Sequence, residues 1–144
     1  MNYSELLSSF LIDLQSLYRK NVSINGASFP QILALSIIPD DGIEMSALSK
    51  KIGIDNSTST RLIIGLEKKG WVERKPAHHD KRVIRVFLTI DGDEIQAGLE
   101  QQFDKLGSVI EKEVDPLDRN EMIEYISSLH WILSKIILRD NKIV

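Results

Sequence analysis

The sequence predicts an α+β fold that is mostly α, a winged helix-turn-helix held between long N- and C-terminal dimerisation helices. Three observations predict it. Two short segments with helical apolar spacing lie on either side of Gly53-Ile54-Asp55. Two strand-like runs, joined by a polar loop that contains proline, follow them. Long stretches of helical apolar periodicity flank this unit, which indicates terminal helices with an apolar face to bury.

The composition is that of an ordinary globular protein. The 144 residues suffice for one domain with a core, and 42% of them are hydrophobic and 27% charged. No basic region precedes an apolar stretch, and no apolar run approaches the roughly 18 residues of a membrane span. We therefore expect a cytoplasmic protein with no membrane partner. The absence of cysteine excludes disulfides, thiolate metal sites and thiol-based sensing.

The net charge of −3 is divided unevenly along the chain. Residues 44–89 hold ten Lys or Arg and five Asp or Glu, a net charge of +5. The rest of the chain holds eight basic residues against sixteen acidic ones, a net charge of −8. Positive charge is thus concentrated on the one unit whose predicted fold suits a phosphate backbone.

Residues 1–27 are predicted to form an N-terminal dimerisation helix and a linker. Apolar residues recur with helical spacing through residues 3–20. The winged domain is predicted to span residues 28–89. Its first helix begins with a capping box formed by Ser28 and Gln31 and continues, nearly apolar, through Ile38, so it should be central and buried.

The helix-turn-helix can be predicted residue by residue. Its first helix is expected at residues 45–52, and Gly53 follows as a left-handed C-terminal residue. Asp55 or Asn56 then caps the second helix. The core face of that second helix is predicted to comprise Ser59, Leu62, Ile63 and Leu66.

The opposite face of this second helix combines hydroxyls, cations and one aliphatic side chain. A solvated surface helix is one explanation. A helix in a DNA major groove is the one we favour, because hydroxyls and Lys suit phosphate, Arg suits a base edge or phosphate, and Ile suits a thymine methyl. The residues predicted to contact DNA from this helix are Ser57, Thr58, Thr60, Arg61, Ile64 and Lys68.

Two strands, at residues 71–75 and 83–88, are predicted to form the wing, with Lys81 and Arg82 at its DNA-contacting tip. Asp80 and Arg82 should project to the same side of an extended chain. The spacing alone leaves two alternatives: a solvated ion pair of ~0–1 kcal/mol, or an Asp80 that orients Arg82 or Lys81 as a fixed cation.

No catalytic or cofactor motif occurs in the sequence, so we expect no enzyme activity and no cofactor. His78 and His79 at the wing tip invite a metal interpretation. Neighbouring side chains on an extended tip diverge, however, and the remaining histidine is distant in sequence at His130. A solvated wing tip without metal is therefore predicted.

Residues 90–144 are predicted to be C-terminal helices that complete the dimerisation region. Thr89 caps the first of them, and Asp115 with Pro116 ends it and starts the last, which runs to about Arg139. Six of the eight residues 131–138 are apolar, too many for one core-facing stripe, so a second copy of the chain should cover them. The predicted dimer interface comprises Tyr3, Leu6, Leu7, Phe10, Leu14, Trp131, Ile132, Leu133, Ile136 and Ile137.

Residues 28–92 resemble the MarR family of bacterial regulators. The helix-turn-helix and first wing strand, LSKKIGIDNSTSTRLIIGLEKKGWVERK, follow the family pattern almost position for position. The wing signature is matched by Asp80, Arg82, Leu88, Thr89 and Gly92. Two departures are Ser59, where a larger aliphatic is usual, and Ile64-Gly65, which replaces a commonly acidic-basic pair.

The resemblance implies a homodimeric, sequence-specific regulator of transcription. Such proteins bind a pseudo-palindromic operator in double-stranded DNA, most often as repressors. A small, often aromatic ligand between the dimer helices and the winged domain commonly releases them. The alternative is a winged-helix module that binds protein, or coats DNA architecturally, without an effector ligand.

Overall fold

A computed structural model describes residues 1–139, and residues 140–144, the end of the predicted C-terminal segment, lie outside the described residues. The mostly helical architecture with a small antiparallel sheet confirms the predicted fold class. The elements are α1 (Tyr3–Asn21), α2 (Phe29–Ser36), β1 (Ile43–Glu44), α3 (Met45–Ile52), α4 (Asn56–Lys68), β2 (Val72–Pro76), β3 (Ile84–Leu88), α5 (Ile90–Glu113) and α6 (Arg119–Leu138).

The start of α2 follows the predicted capping box. Ser28 Oγ accepts a hydrogen bond from the Gln31 amide, and the Gln31 side chain accepts one from the Ser28 amide. The helix ends at Ser36 rather than Ile38. Ile38 precedes Pro39, whose ring disfavours helical backbone at the residue before it. Ile38 nevertheless stays buried, as predicted for this segment.

The core lies inside the winged domain, where α2, α3, α4 and the sheet meet the first half of α5. Its fully buried side chains include Leu35, Leu48, Ile63, Leu66 and Leu99. The hairpin of β2 and β3 was predicted, but β1 was not. β1 is only two residues long and pairs with the middle of β3, giving the strand order β1-β3-β2.

Gly92 sets the distance between α5 and the wing. Thr89 caps α5 as predicted, accepting a hydrogen bond from the Gly92 amide at 3.0 Å. A Cβ at position 92 would overlap the backbone oxygen of Trp71, so only glycine permits this approach. The first turn of α5 therefore rests directly on the base of the wing.

The predicted start of the last helix was wrong. Asp115 and Pro116 belong to an isolated turn, and α6 begins at Arg119. The Asp115 carboxylate accepts a hydrogen bond from the Leu117 amide at 2.9 Å, two residues on. That bond is one an N-cap makes, but the Asp118 amide donates to the Asp115 carbonyl at 2.8 Å and closes a separate turn before the regular helix.

The first and last helices, unlike α5, bury no residue completely within one protomer. α1 and α6 each lack a fully buried side chain over their described lengths. On α5, Leu99 and Leu106 lie in the core, whereas Ile110 is exposed. No described helix is both long enough and apolar enough to cross a membrane.

Candidate nucleic-acid interface

The start of α4 is held by Asp55, as predicted. Gly53 closes α3 with a φ of 72°, the left-handed conformation that glycine adopts without strain. The Asp55 carboxylate then accepts hydrogen bonds from the Thr58 amide at 2.7 Å and the Ser57 hydroxyl at 2.8 Å. These bonds lower the pKa of Asp55 to about 2, with the Thr58 amide as the largest cause.

A buried pair of hydroxyls joins the two helices of the helix-turn-helix. Ser49 Oγ on α3 and Ser59 Oγ on α4 lie 2.6 Å apart, and both side chains are almost completely buried. Ser49 also donates to the Met45 carbonyl, and Ser59 lies 3.1 Å from the Asp55 carbonyl. Ser49 therefore supplies a hydrogen-bonding partner for Ser59, the small residue that stands where the family usually has a larger aliphatic one.

The predicted DNA-reading side chains are exposed to different extents. Ser57, Arg61 and Lys68 are exposed. Thr58, Thr60 and Ile64 are half-buried, although Ile64 was predicted to be exposed. The difference arises because α4 packs against α2, α3 and β2, which narrows its solvent-facing side.

Two of these side chains are positioned by the helix itself. Thr60 Oγ1 donates to the Asn56 carbonyl at 2.8 Å. Arg61 Nη2 donates to Thr58 Oγ1 at 3.3 Å. The rest of the Arg61 guanidinium remains available for recognition.

Asp80 holds Arg82 at the tip of the wing through three hydrogen bonds. The Arg82 amide and Nε donate to Asp80 Oδ1 at 3.0 and 3.1 Å, and Arg82 Nη2 donates to Oδ2 at 3.1 Å. The Arg82 guanidinium lowers the pKa of Asp80, and the Arg82 amide adds to the effect. The Arg82 side chain is 91% exposed, so a fixed cation stands in solvent.

The contact between Asp80 and Arg82 does not arise as predicted. These residues lie in a turn, closed by the Val83 amide donating to the Asp80 carbonyl at 3.0 Å, and not in an extended chain. The turn lets the Asp80 side chain reach both the backbone and the guanidinium of Arg82. Lys81 shares this turn and is exposed.

The base of the wing is tied to the domain on two sides. Arg85 on β3 donates to the Asp41 and Gly42 carbonyls, at 3.0 Å each, which fastens the hairpin to the turn before β1. On β2, Arg74 forms a two-point pair with Glu67 in the last turns of α4. Neither contact was predicted, because the first depends on the pairing of β1 with β3 and the second on the packing of α4 against β2.

A groove of about 330 Å³ separates α4 from the wing. Its lining includes Asn56 and Thr60 from α4, together with Arg74 and Arg82 from the hairpin. The fold thus brings one face of the predicted reading helix and the wing-tip cation to a common concave surface. Arg74 and Asn56 are two polar lining residues for which the sequence predicted no DNA contact.

The wing-tip histidines are not gathered into a metal site. His79 Nε2 lies 3.9 Å from a Glu44 carboxylate oxygen. Among residues 1–139 there is no group of three or more His, Cys, Asp or Glu side chains placed to hold a metal ion.

The predicted interface residues are exposed or half-buried in one protomer. Tyr3 is 82% exposed and Trp131 62% exposed. Among the others, Ile136 is half-buried. The remaining members are partly to largely exposed: Leu6, Leu7, Phe10, Leu14, Ile132, Leu133 and Ile137. Lys135 lies 3.7 Å above the ring of Trp131 and covers part of it.

A second, more apolar cleft lies between α5 and α6. It measures about 490 Å³, and Phe103, Ile110, Met122 and Ile126 form much of its wall. Arg119 at the start of α6 is its one basic lining residue, and it donates to the Glu111 and Val114 carbonyls. In size and character the cleft suits a small apolar molecule or an apolar side-chain face.

Comparison with known proteins identifies relatives of both the sequence and the fold. The MarR family profile matches residues 28–84. The transcriptional repressor MprA of Escherichia coli strain K12 is 31% identical over 88 residues, which cover 61% of this chain and 50% of MprA. The chain thus spans about half the length of this curated relative.

Solved structures share the architecture over nearly the whole chain. A crystal structure of MarR superimposes with a TM-score of 0.78 at 18% identity, covering 94% of this chain and 93% of that one. Streptococcus pneumoniae FabT, crystallised in complex with DNA, superimposes with a TM-score of 0.73 at 20% identity, covering 94% and 99%. At these identities the likeness establishes the fold.

Proposed function

We propose that this chain, whose residues 28–84 match the MarR family profile, is a sequence-specific DNA-binding regulator of transcription. It acts as a homodimer on a pseudo-palindromic operator. The observation that carries the proposal is the groove shared by α4 and the wing, which places the acid-held Arg82 beside the Thr60 face of α4. The net charge of +5 on residues 44–89 has the sign that DNA requires.

In the proposed complex, α4 lies in the major groove. Arg61 and Ile64 face base edges, the hydroxyls of Ser57, Thr58 and Thr60 face phosphates, and Lys68 adds a sequence-independent contact. Arg82 extends outward to the neighbouring minor groove, where negative potential is concentrated, and Lys81 lies beside it. The Asp80 clamp supports this role because a pre-oriented guanidinium loses less conformational freedom on binding.

The homodimer is proposed because the terminal helices are incomplete alone. α1 and α6 expose apolar faces that a monomeric protein rarely leaves uncovered. Two-fold pairing of these faces would place two copies of α4 about one helical turn of DNA apart.

We further propose that the chain represses transcription and that a small aromatic ligand releases it. The named activity of the relative MprA supports repression, and the apolar cleft between α5 and α6 supports a ligand site. Such a ligand acts only by binding more tightly to the spacing of winged domains that does not fit DNA. By reciprocity, operator DNA must weaken ligand binding by the same factor.

Selection of bound duplexes from a random pool tests the central proposal. Repeated rounds should converge on a two-fold sequence that the purified chain prefers over random duplex by roughly 10³-fold or more. Convergence on a sequence with inverted symmetry also supports the dimer. Equal affinity for selected and random duplex would contradict sequence-specific regulation and favour an architectural module.

A further inference from the structure

We propose that Arg74 is a second acid-oriented cation of the DNA interface, binding a backbone phosphate that enters the groove between α4 and the wing. This inference rests on the proposed function and adds a contact to it. Asp80 orients Arg82 at the outer end of the hairpin, and Glu67 orients Arg74 in the middle of its first strand, β2. In both pairs a carboxylate accepts hydrogen bonds from Nε and Nη2 of the arginine.

The Glu67–Arg74 pair has the geometry of a two-point clamp. Arg74 Nε donates to Glu67 Oε2 at 3.3 Å, and Arg74 Nη2 donates to Oε1 at 3.1 Å. This fork-to-fork arrangement fixes the plane of the guanidinium. The Arg74 side chain is the main cause of the lowered pKa of Glu67, so the carboxylate is ionised at neutral pH.

Strand register explains why Arg74 faces the groove. Arg74 lies opposite Val86 in the β2–β3 ladder, and it shares a sheet face with the buried Val72. That face turns toward α4. Lys75, the next residue, takes the opposite face, where it pairs with Glu73 and lies 5.6 Å from the Phe87 ring centre.

The clamp leaves Arg74 able to bind an anion. A guanidinium has five N–H donors, of which Glu67 accepts two, so three remain. The side chain is 32% exposed and lines the same groove as Asn56, Thr60 and Arg82. A phosphate in this groove would meet the three free donors together with the Asn56 amide. Glu44, the acidic residue that also lines the groove, lies near Arg85 and His79.

The test measures which phosphate depends on Arg74. Using the selected operator, one phosphate at a time is replaced by an uncharged methylphosphonate, and binding is measured for the wild type and Arg74→Gln. We expect Arg74→Gln to weaken operator and random duplex alike, by about tenfold, and to make the salt dependence shallower by about one charge. It should also become insensitive to one methylphosphonate, placed between the recognition helix and the wing, that weakens the wild type.

Two further variants separate binding from scaffolding. Lys75→Gln removes the same charge from the opposite face of β2 and should retain the wild-type methylphosphonate profile. Glu67→Gln removes a negative charge near DNA, so simple electrostatics predicts tighter binding. We expect weaker binding, because Arg74 loses its orientation. Exposed ion pairs contribute little to stability, so these variants should fold.

The possible results separate a failure of the Arg74 contact from a failure of the proposed DNA-binding function. A methylphosphonate position to which the wild type and Lys75→Gln respond, but Arg74→Gln does not, supports the phosphate contact. Identical profiles for wild type and Arg74→Gln overturn it, even if Arg74→Gln binds all duplexes less tightly, because the Glu67–Arg74 pair then only supports the structure of the wing. A chain that selects no duplex at all overturns the proposed function, and this inference with it.

Discussion

The winged domain and the terminal helices are built from similar apolar residues but differ in how those residues are covered. In the winged domain, Leu35, Ile63 and Leu66 have no solvent exposure. In α1 and α6, no described residue reaches that state. Phe10 is 49% exposed and Leu133 41% exposed within a single protomer.

From this difference in burial we expect the two regions to depend on different contacts for their stability. The winged domain closes its core with its own strands and helices, so its folding should depend little on chain concentration. The terminal helices α1 and α6 bury no residue within one protomer, and in the proposed homodimer a second copy covers their apolar faces. The substitutions below change one region at a time, and dimer mass, stability or DNA binding shows whether the effect stays in that region.

The largest effect should come from placing a charge in the terminal-helix face. Leu133→Asp buries a carboxylate in the proposed two-fold interface, which costs several kcal/mol per protomer. Light scattering at micromolar concentration should give twice the 16.3 kDa chain mass for the wild type and the single-chain mass for the variant. Ile90→Asp, on an 82% exposed residue at the start of α5, is the control that should stay dimeric. A dimeric Leu133→Asp would place the interface elsewhere.

The next effect concerns the core of the winged domain. Leu35→Ala removes a fully buried side chain and should lower the free energy of unfolding by ~2–5 kcal/mol. Urea denaturation at a fixed chain concentration measures the change. Leu117→Ala, on a residue that is 92% exposed, should change stability by less than ~0.5 kcal/mol. Equal losses in the two variants would mean that the described core does not carry the stability.

Substitutions on the exposed face of α4 should weaken DNA binding without changing the stability of the winged domain or of the terminal helices. Arg61→Ala should cost ~1–3 kcal/mol of operator binding if Arg61 contacts a base. Lys68→Ala should weaken all sequences alike and make the salt dependence shallower by about one charge. Operator and random duplexes titrated at two salt concentrations separate these patterns. An unchanged operator affinity for Arg61→Ala would mean that α4 does not read the major groove.

A smaller effect is expected at the wing tip. Asp80→Ala removes a negative charge, so simple electrostatics predicts tighter DNA binding. We expect binding several-fold weaker, because Arg82 loses all three bonds that orient it. Dimer mass, measured separately, should not change. Tighter binding by the variant would show that Asp80 is only a repulsive surface charge.

The smallest effect should appear as a pH dependence of stability. The folded-state pKa of Asp55 is about 2, below its ordinary value of 3.8. Its ionised cap therefore stabilises the fold fully above about pH 4, and this contribution is lost as the pH falls through 2. Asp55→Asn keeps a capping oxygen that does not titrate. Comparing urea midpoints at pH 6 and pH 3, we expect the wild type to lose more stability than the variant, and equal losses would exclude this cap as a cause.

Local chemistry made several helix boundaries in the winged domain predictable. Gly53, Asp55 and the Ser28–Gln31 capping box act through backbone groups within four residues, so their roles follow from spacing. The turn at Asp115 shows the limit. Its side chain makes the bond expected of a cap, but the backbone forms a separate turn before α6, and spacing alone did not distinguish that turn from a helix start.

By itself, the sequence determined the fold class, the position of the helix-turn-helix and the concentration of positive charge on it. These depend on periodicity, capping and composition, which act over a few residues. Only the tertiary structure decided that β1 joins the sheet, that Ser59 hydrogen-bonds with Ser49, and that Glu67 forms a salt bridge with Arg74. The physical reason is that strand register and helix packing bring together groups that are distant in sequence. A change of one residue in strand register would turn the side chains of that strand to the opposite face of the sheet.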